Sequence, residues 1–117
     1  MFKNLKWKKR DSTDFIYIVK RDLHSVDTDT LRKNAIRKGH FDLGYHYIVR
    51  KDGSIENARP DYAYAGEWFN DCEHSIAVLV DTETVANASQ KSALSTIKSR
   101  FPKAVFVMLE VDESEEW

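Results

Sequence analysis

The side chains of this chain that could take part in chemistry are four histidines, one cysteine and scattered carboxylates. The histidines are His24, His40, His46 and His74. No two of them show the H-x-x-H or H-E-x-x-H spacing that places two imidazoles on one face of a helix. Because a catalytic zinc needs three protein ligands and an open position for water, the spacing gives no local metal signature. We therefore expect surface or hydrogen-bonded structural roles for the histidines.

The other candidate nucleophile and acid–base groups have simpler explanations. Cys72 is the only cysteine, which excludes an internal disulfide and a thiolate-rich zinc site and fits a reducing cytoplasm. Its neighbours Asp71 and Glu73 raise a thiol pKa, so a catalytic thiolate is not expected. Asp52 and Glu56 resemble the paired carboxylates of a glycosidase, but a turn explains the first and a hairpin strand explains the second.

Length and composition indicate one globular domain spanning residues 1–117, with 42% hydrophobic and 32% charged residues. A net charge of −1 argues against a general nucleic-acid binder. There is no apolar export signal and no run of about 20 apolar residues, so neither export nor a membrane span is expected and a cytoplasmic location is predicted. The two ends have opposite charge, with Lys3, Lys6, Lys8, Lys9 and Arg10 at one and Glu110, Asp112, Glu113, Glu115 and Glu116 at the other.

Hydrophobic patterning predicts an α/β fold, a single-domain mixed β-sheet flanked by helices. Residues 15–19, 75–80 and 105–109 are apolar runs typical of buried parallel strands. Residues 27–38 and 89–100 have helical periodicity, with a cap at Asp27 or Thr28 and a stop at Gly39. The inward-facing positions are predicted to be Leu31, Ala35 and Ile36 in the first helix and Ala93, Leu94 and Ile97 in the second.

Two further segments complete the predicted fold. Residues 45–50 and 54–58 flank Lys51-Asp52-Gly53 and predict a hairpin at a mixed edge of the sheet, with positive φ at both Asp52 and Gly53. Residues 57–71 lack periodicity and predict a long irregular loop, a kind of segment that often carries function. Four aromatics in this loop are candidate partner contacts, although rings in such a loop also cover cores: Tyr62, Tyr64, Trp68 and Phe69.

The hairpin lies inside a longer motif. Residues 40–49 read HFDLGYHYIV and residues 51–56 read KDGSIE, followed by Arg59. This stretch resembles the D-x-G-Y-H-(F/Y)-x-(I/V)-x-x-D-G-x-(I/V)-E core of the N-acetylmuramoyl-L-alanine amidase family, in its phage-lysozyme and amidase type 2/PGRP-like form. Residues 7–14 and 74–78 are similar to further segments of the family in the same order. The resemblance covers nearly the whole chain and weakens towards residue 117.

The resemblance implies a zinc-dependent amide hydrolysis whose metal ligands this chain has lost. The family's first histidine ligand aligns with Val19, and the histidine and cysteine expected after the last strand have no counterparts in residues 108–112. Tyr45 aligns with an active-site tyrosine and His46 with the histidine beside it; as neighbours in a strand, at most one of them should enter the core. Glu67 replaces a cleft histidine. We therefore expect no metal and no cofactor.

Three hypotheses follow for function. The first is a catalytically inactive amidase homologue that binds a protein as an inhibitor or regulator. The resemblance suggests a host or phage target, such as RNA polymerase, which a phage lysozyme of this family also binds, or a host defence protein. The second is a module that holds a small molecule, such as a muropeptide or a nucleotide, in the old cleft. The third is an enzyme with relocated chemistry, and the sequence leaves the oligomeric state open.

Overall fold

A computed structural model describes residues 8–40 and 42–109. It shows a five-stranded sheet with two long helices and one short 3-10 helix. No helix among the described residues is long and apolar enough to span a bilayer. The strands and helices are, in chain order, β1 (Phe15–Arg21), α1 (Thr28–Arg37), β2 (Tyr47–Val49), β3 (Ile55–Asn57), the 3-10 helix (Cys72–His74), β4 (Ser75–Asp81), α2 (Ala88–Arg100) and β5 (Val105–Leu109).

The sheet has the strand order β3-β2-β4-β1-β5. β1 pairs in parallel with both β4 and β5, and β2 pairs in parallel with β4. β3 is antiparallel to β2 and forms one edge. These pairings confirm the predicted mixed α/β sheet with parallel central strands and a hairpin at one edge. They also place the carboxyl ends of β1 and β4 side by side.

The helices begin and end close to the predicted residues because their caps are encoded locally. The Asp27 side chain accepts a hydrogen bond from the Thr30 N–H at 2.7 Å at the start of α1. Asn87 and Gln90 form a reciprocal capping box at the start of α2. Leu31 and Ala35 are buried as predicted. The inward placement of Ile36 is wrong: it is 50% exposed, because it lies about 100° around the helix from buried Ala35.

The hairpin forms as predicted, but its turn differs. Of the two central residues only Gly53 has a positive φ, at 86°. The Gly53 N–H donates to the Arg50 carbonyl at 2.9 Å, and the Arg50 N–H donates to the Ser54 carbonyl at 2.9 Å. The connection is therefore a three-residue loop in which one left-handed residue follows a turn, so positive φ at Asp52 is not needed.

Both faces of the sheet are covered. On the α1 side, one apolar cluster joins Leu31 and Ala35 to side chains of β1, β2, β4 and the loop before the 3-10 helix. On the other side, Ala93 and Ile97 of α2 pack on β1, β2 and β4. β5 lies beyond the cover of α2: Phe106 is 43% exposed and Met108 is 56% exposed. The expectation that β5 is as buried as the other parallel strands is therefore wrong.

Candidate functional site

The position that aligns with the first zinc ligand is part of the hydrophobic core. Val19 is 3% exposed and belongs to the apolar cluster on the α1 side of the sheet. In the strand pairing its neighbours are Leu79 on β4 and Leu109 on β5. None of these three side chains carries an atom that can bind a cation. The zinc implied by the resemblance therefore does not fit this position.

Tyr45, which aligns with the active-site tyrosine, belongs to the same cluster. Its side chain is 1% exposed. The rings of Trp68 and Phe69 pack edge-on against it, with centroids 6.4 Å and 5.8 Å away. Phe69 also stacks on Tyr17 at 5.3 Å. Tyr45 therefore lies beneath an aromatic cover that leaves almost no surface for a substrate.

His46 lies beside Tyr45 and is buried as well, at 0% exposure. The expectation that at most one of the two enters the core is wrong, because the loop containing Ala63 covers the His46 side. The Ala77 N–H donates to Nδ1 at 3.1 Å, so Nδ1 carries no proton and Nε2 is the nitrogen that donates to the Ala63 carbonyl, 2.8 Å away. His46 thus links β4 to the loop of residues 57–71, which we call the aromatic loop.

The same environment keeps His46 neutral. Burial lowers the pKa of His46 from 6.5 to about 3; the hydrogen bond to Ala63 opposes the shift, and the charges of Arg10 and Arg59 add to it. Nη1 of Arg10 lies 3.5 Å from Nε2 of His46 and donates to the same Ala63 carbonyl at 2.6 Å. His46 is therefore a structural linker whose only proton-accepting atom, Nδ1, already accepts from the Ala77 N–H.

The four aromatic residues predicted as partner contacts differ in how much of each side chain is exposed. Tyr62 is 48% exposed, Tyr64 and Trp68 are half-buried, and Phe69 is 6% exposed within the core cluster. The Trp68 ring lies against Gly44 and Gly66, where an added Cβ would come within 2.3 Å and 2.8 Å of ring atoms. Tyr62 consequently offers the most ring surface, and Phe69 offers almost none.

Glu67, at the position of the family's cleft histidine, lies at the surface. Its Oε1 is 3.3 Å from Nδ1 of His40, and the His40 ring packs on Trp68 with centroids 4.4 Å apart. An imidazole, a carboxylate and an indole thus meet at one place on the surface. The group can offer stacking and hydrogen bonding to a ligand.

The other histidines and Cys72 are dispersed. His24 lies 3.6 Å from Asp22, and Nδ1 of His74 lies 3.1 Å from the Ser12 hydroxyl. Within residues 8–40 and 42–109, no group of three His, Cys, Asp or Glu side chains is placed to hold a metal. Burial raises the pKa of the Cys72 thiol, and a hydrogen bond to Glu73 raises it further, in agreement with the expectation from the sequence.

Asp52 and Glu56 have structural partners. The Asp52 carboxylate accepts from the Ser54 N–H at 2.9 Å, which lowers its pKa. Glu56 forms an ion pair with Arg50 at 2.9 Å and bonds the Thr28 hydroxyl, and the Arg50 hydrogen bond is the main cause of its lowered pKa. A glycosidase needs one carboxyl whose pKa is raised so that it can donate a proton. Neither group meets that requirement.

No role for Asp42, the first residue of the motif, follows from the sequence. It is 3% exposed and accepts from Nε of Arg32 at 2.8 Å and from the Leu43 N–H at 2.6 Å. Nη2 of Arg32 in turn donates to the Ala58 carbonyl at 2.6 Å. Through Arg32, Asp42 therefore helps to hold α1 against the end of the hairpin. The basic polar face of the first helix was the only signal that could have suggested this pairing.

Comparison with known proteins relates the chain to endolysins and amidases. No protein-family model matches the sequence. Over 62 residues the chain is 31% identical to the endolysin of Escherichia phage T7; the match covers 50% of this chain and 41% of the endolysin. The chain thus spans about two fifths of that relative's length.

Solved structures share the fold at low sequence identity. PGRP-Hd from Alvinella pompejana superposes with a TM-score of 0.76 at 16% identity, covering 89% of this chain and 78% of that chain. The amidase LysCS from Clostridium intestinale URNW gives 0.67 at 16% identity, covering 88% and 76%. The Ph2119 endolysin of a Thermus scotoductus MAT2119 bacteriophage gives 0.68 at 19% identity, covering 87% and 75%. The chain is therefore similar in sequence to part of a phage endolysin, and it shares its fold with N-acetylmuramoyl-L-alanine amidases and with a PGRP.

Proposed function

We propose that this chain is an amidase-family domain that does not hydrolyse amides and instead binds a protein, acting as an inhibitor or regulator. The observation that carries the proposal is the burial of Val19 and Tyr45 in one apolar cluster. The resemblance implies that in the amidase family these two positions belong to the metal ligands and to the active site. Here they stabilise the fold.

Loss of the first ligand removes the chemistry of the reaction. Zinc-assisted hydrolysis needs a bound metal that lowers the pKa of a water and polarises the substrate carbonyl. An isopropyl group at Val19 supplies no electron pair for a metal. Tyr45, which is 1% exposed, could not reach a bound substrate without displacement of Trp68 and Phe69.

A surface suited to a protein partner lies on the aromatic loop at Tyr62. The Tyr62 carbonyl accepts from the Arg10 N–H at 2.7 Å, and the next residue, Ala63, is held by the Arg10 side chain and by the Pro60 carbonyl. The Lys9 ammonium lies 6.0 Å from the centre of the Tyr62 ring. Because the backbone is already held, binding through this ring costs little ordering entropy. The partner classes we favour are a phage or host RNA polymerase and a host defence protein.

The surface group of His40, Glu67 and Trp68 favours a second candidate function, the holding of a small ligand. A half-buried indole beside an imidazole and a carboxylate suits a muropeptide or a nucleotide base. Titration with each compound, followed by thermal shift, tests this candidate. His40→Ala should abolish any stabilisation of the protein by ligand if the group binds it.

The main proposal is tested by three measurements on the full chain. We expect no stoichiometric zinc after dialysis and no peptidoglycan hydrolysis above a chelator-treated sample, with the phage T7 endolysin as positive control. We expect immobilised protein to capture purified polymerase or a defined lysate protein, and Tyr62→Ala to weaken that binding by roughly 2 kcal/mol. Val85→Ala is the control, because Val85 is also an exposed apolar side chain, at 67%, but lies in the loop before α2. Retained zinc with hydrolysis contradicts the proposal, and capture that survives Tyr62→Ala contradicts the placement of the binding surface at Tyr62.

A further inference from the structure

A positively charged surface lies beside the exposed ring of Tyr62. It is formed by residues 8–10, a short strap before β1, together with the part of the aromatic loop that the strap contacts. The Arg10 N–H donates to the Tyr62 carbonyl at 2.7 Å, and the Tyr64 N–H donates to the Lys8 carbonyl at 3.2 Å. We call the side chains of Lys8, Lys9 and Tyr62 the strap surface. Its backbone is held in place by these hydrogen bonds before any partner binds.

Two lysines provide the charge of the strap surface. Lys8 and Lys9 are exposed, and among the described residues neither forms an ion pair or a side-chain hydrogen bond. The Lys9 ammonium lies 6.0 Å from the centre of the Tyr62 ring, which is 48% exposed. The Lys51 ammonium, in contrast, lies 3.3 Å from the Asp22 carboxylate. The strap surface therefore offers two ammonium groups and a phenol ring to a partner.

The carboxylate next to Tyr62 in the loop, that of Asp61, acts on other groups. Burial raises the pKa of Tyr47 to about 12; Asp61 raises it further, and Arg100 lowers it. The Arg100 guanidinium lies 5.5 Å from the centre of the Tyr47 ring. Burial lowers the pKa of Arg10, and the charge of Asp61 opposes that shift. Asp61 is thus accompanied by two guanidinium groups, and the charges of the two strap lysines stay uncompensated.

We propose that the strap surface binds an acidic segment of the protein partner, with carboxylates at Lys8 and Lys9 and an apolar side chain on the Tyr62 ring. This inference rests on the proposed function and adds the chemistry of the partner. Four cations and two carboxylates lie on or next to the surface: Lys8, Lys9, Arg10, Arg100, Asp11 and Asp61. The whole chain has a net charge of −1, so the excess of positive charge is local. Complementary acidic groups are attracted to this place.

A protein segment suits the strap surface better than a nucleic acid does. Nucleic-acid binders gain affinity by neutralising many phosphates, and this surface offers two free ammonium groups. Protein interfaces instead concentrate their energy in a few anchors, among which tyrosine is frequent. The Arg10 side chain donates to the Thr13 hydroxyl at 2.8 Å and to the Ala63 carbonyl at 2.6 Å. Since these contacts already order the strap and the loop, binding costs little further entropy.

Fluorescence anisotropy of the full chain with labelled peptides tests the chemistry of the partner. The probe is a fluorescein-labelled peptide in which a leucine is flanked on each side by two glutamates. The matched peptide has glutamines in place of the glutamates, and a labelled oligothymidylate serves as the nucleic-acid probe. We expect saturable binding of the glutamate peptide that weakens as the salt concentration rises, because exposed charges are screened. The glutamine peptide should bind at least about tenfold more weakly.

Two charge-matched double variants locate the binding. Lys8→Ala with Lys9→Ala should weaken binding of the glutamate peptide about fivefold, since each exposed ion pair contributes modestly. Both changes keep the backbone hydrogen bonds of the strap. Lys33→Ala with Lys38→Ala is the control, because it removes the same two charges from exposed positions in α1 and directly after it. The control should weaken binding less than about twofold. Tyr62→Ala should weaken it at least about tenfold.

Four results would overturn the inference: no saturable binding of the glutamate peptide, equal losses in the two lysine double variants, unchanged binding by Tyr62→Ala, or tighter binding of the oligothymidylate than of the peptide. Thermal melting shows whether each variant is folded; if Tyr62→Ala is not, the lysine variants decide. The peptide assay measures neither zinc nor hydrolysis. A protein that hydrolyses peptidoglycan and binds the peptide refutes the proposed function alone. A protein that captures its partner through Tyr62 but does not bind the peptide refutes this inference alone.

Discussion

Val19 and Leu109 lie opposite each other in the parallel pairing of β1 and β5. The resemblance implies that the family's first zinc ligand would stand at Val19. Leu109 is the last described residue of the strand after which the resemblance implies the other ligands. Here an isopropyl and an isobutyl group meet at that junction. Val19 and Leu109 both pack in the apolar cluster on the α1 side of the sheet.

Restoring one ligand should not restore activity. In Val19→His a single imidazole would face Leu79 and Leu109, so a site that needs three ligands stays incomplete. We expect no peptidoglycan hydrolysis with added zinc. We also expect a loss of roughly 1–3 kcal/mol in the free energy of unfolding, measured by urea denaturation, since a polar ring enters an apolar cluster. Hydrolysis by this single variant would mean that the remaining ligands exist elsewhere in the chain.

His46 should make stability depend on pH. The pKa of His46 is about 3 in the folded protein and near 6.5 when unfolded. Between these values the unfolded state binds a proton that the folded state does not, so stability is complete above pH 6.5 and falls as pH decreases towards 3. The expected contribution is about 1.4 kcal/mol per pH unit in that window.

The His46 contribution is isolated by comparison with His46→Gln, which keeps a polar group but does not titrate. Urea unfolding at several pH values between 4 and 6 measures both proteins, whose carboxylates are otherwise the same. The variant should be less stable at pH 7. Its free energy of unfolding should change less steeply with pH, by the slope that the uptake of about one proton on unfolding produces. Equal slopes in the two proteins would show that His46 is protonated in the native state.

Gly44 should be intolerant of a side chain because Trp68 occupies the space beside it. In Gly44→Ala the new Cβ would lie 2.3 Å from ring atoms of Trp68, so the ring or the backbone must shift. We expect a loss of about 1–3 kcal/mol in stability and a change in tryptophan fluorescence. The double variant Gly44→Ala, Trp68→Leu should be more stable than the sum of the two single changes predicts. Strict additivity would show that the two sites do not touch.

Substitution of Phe69 should lower the stability of the fold, whereas substitution of Tyr62 should weaken partner binding. Phe69→Ala removes a ring that is 6% exposed and stacked on Tyr17, so a loss of about 3–5 kcal/mol is expected. Tyr62→Ala removes a ring that is 48% exposed and should change stability by less than about 0.5 kcal/mol. Thermal melting measures both, and binding of the captured partner should weaken by roughly 2 kcal/mol in Tyr62→Ala alone. A large shift in melting temperature for Tyr62→Ala would make that residue structural.

Local chemistry was sufficient to predict most of the elements. The apolar runs of β1 and β4, the side-chain cap at Asp27 and the glycine at position 53 all act over a few residues. Period and capping depend on near neighbours along the chain, so these elements could be placed without the fold. The motif from Asp42 to Glu56 likewise indicated the family from the sequence.

Burial and contact at the site depended on segments far apart in sequence. Tyr45 is covered by Trp68 and Phe69, and His46 is held between Ala77 and Ala63. Periodicity reports which residues share a face of one element, but not which loop folds over that face. The exposure of β5 has the same origin, since its apolar sequence resembles that of β4 and only its edge position, beyond α2, distinguishes them. The sequence by itself determined most of the elements and the cap of α1. The tertiary structure decided which faces are covered, because burial is set by packing between segments that are distant along the chain.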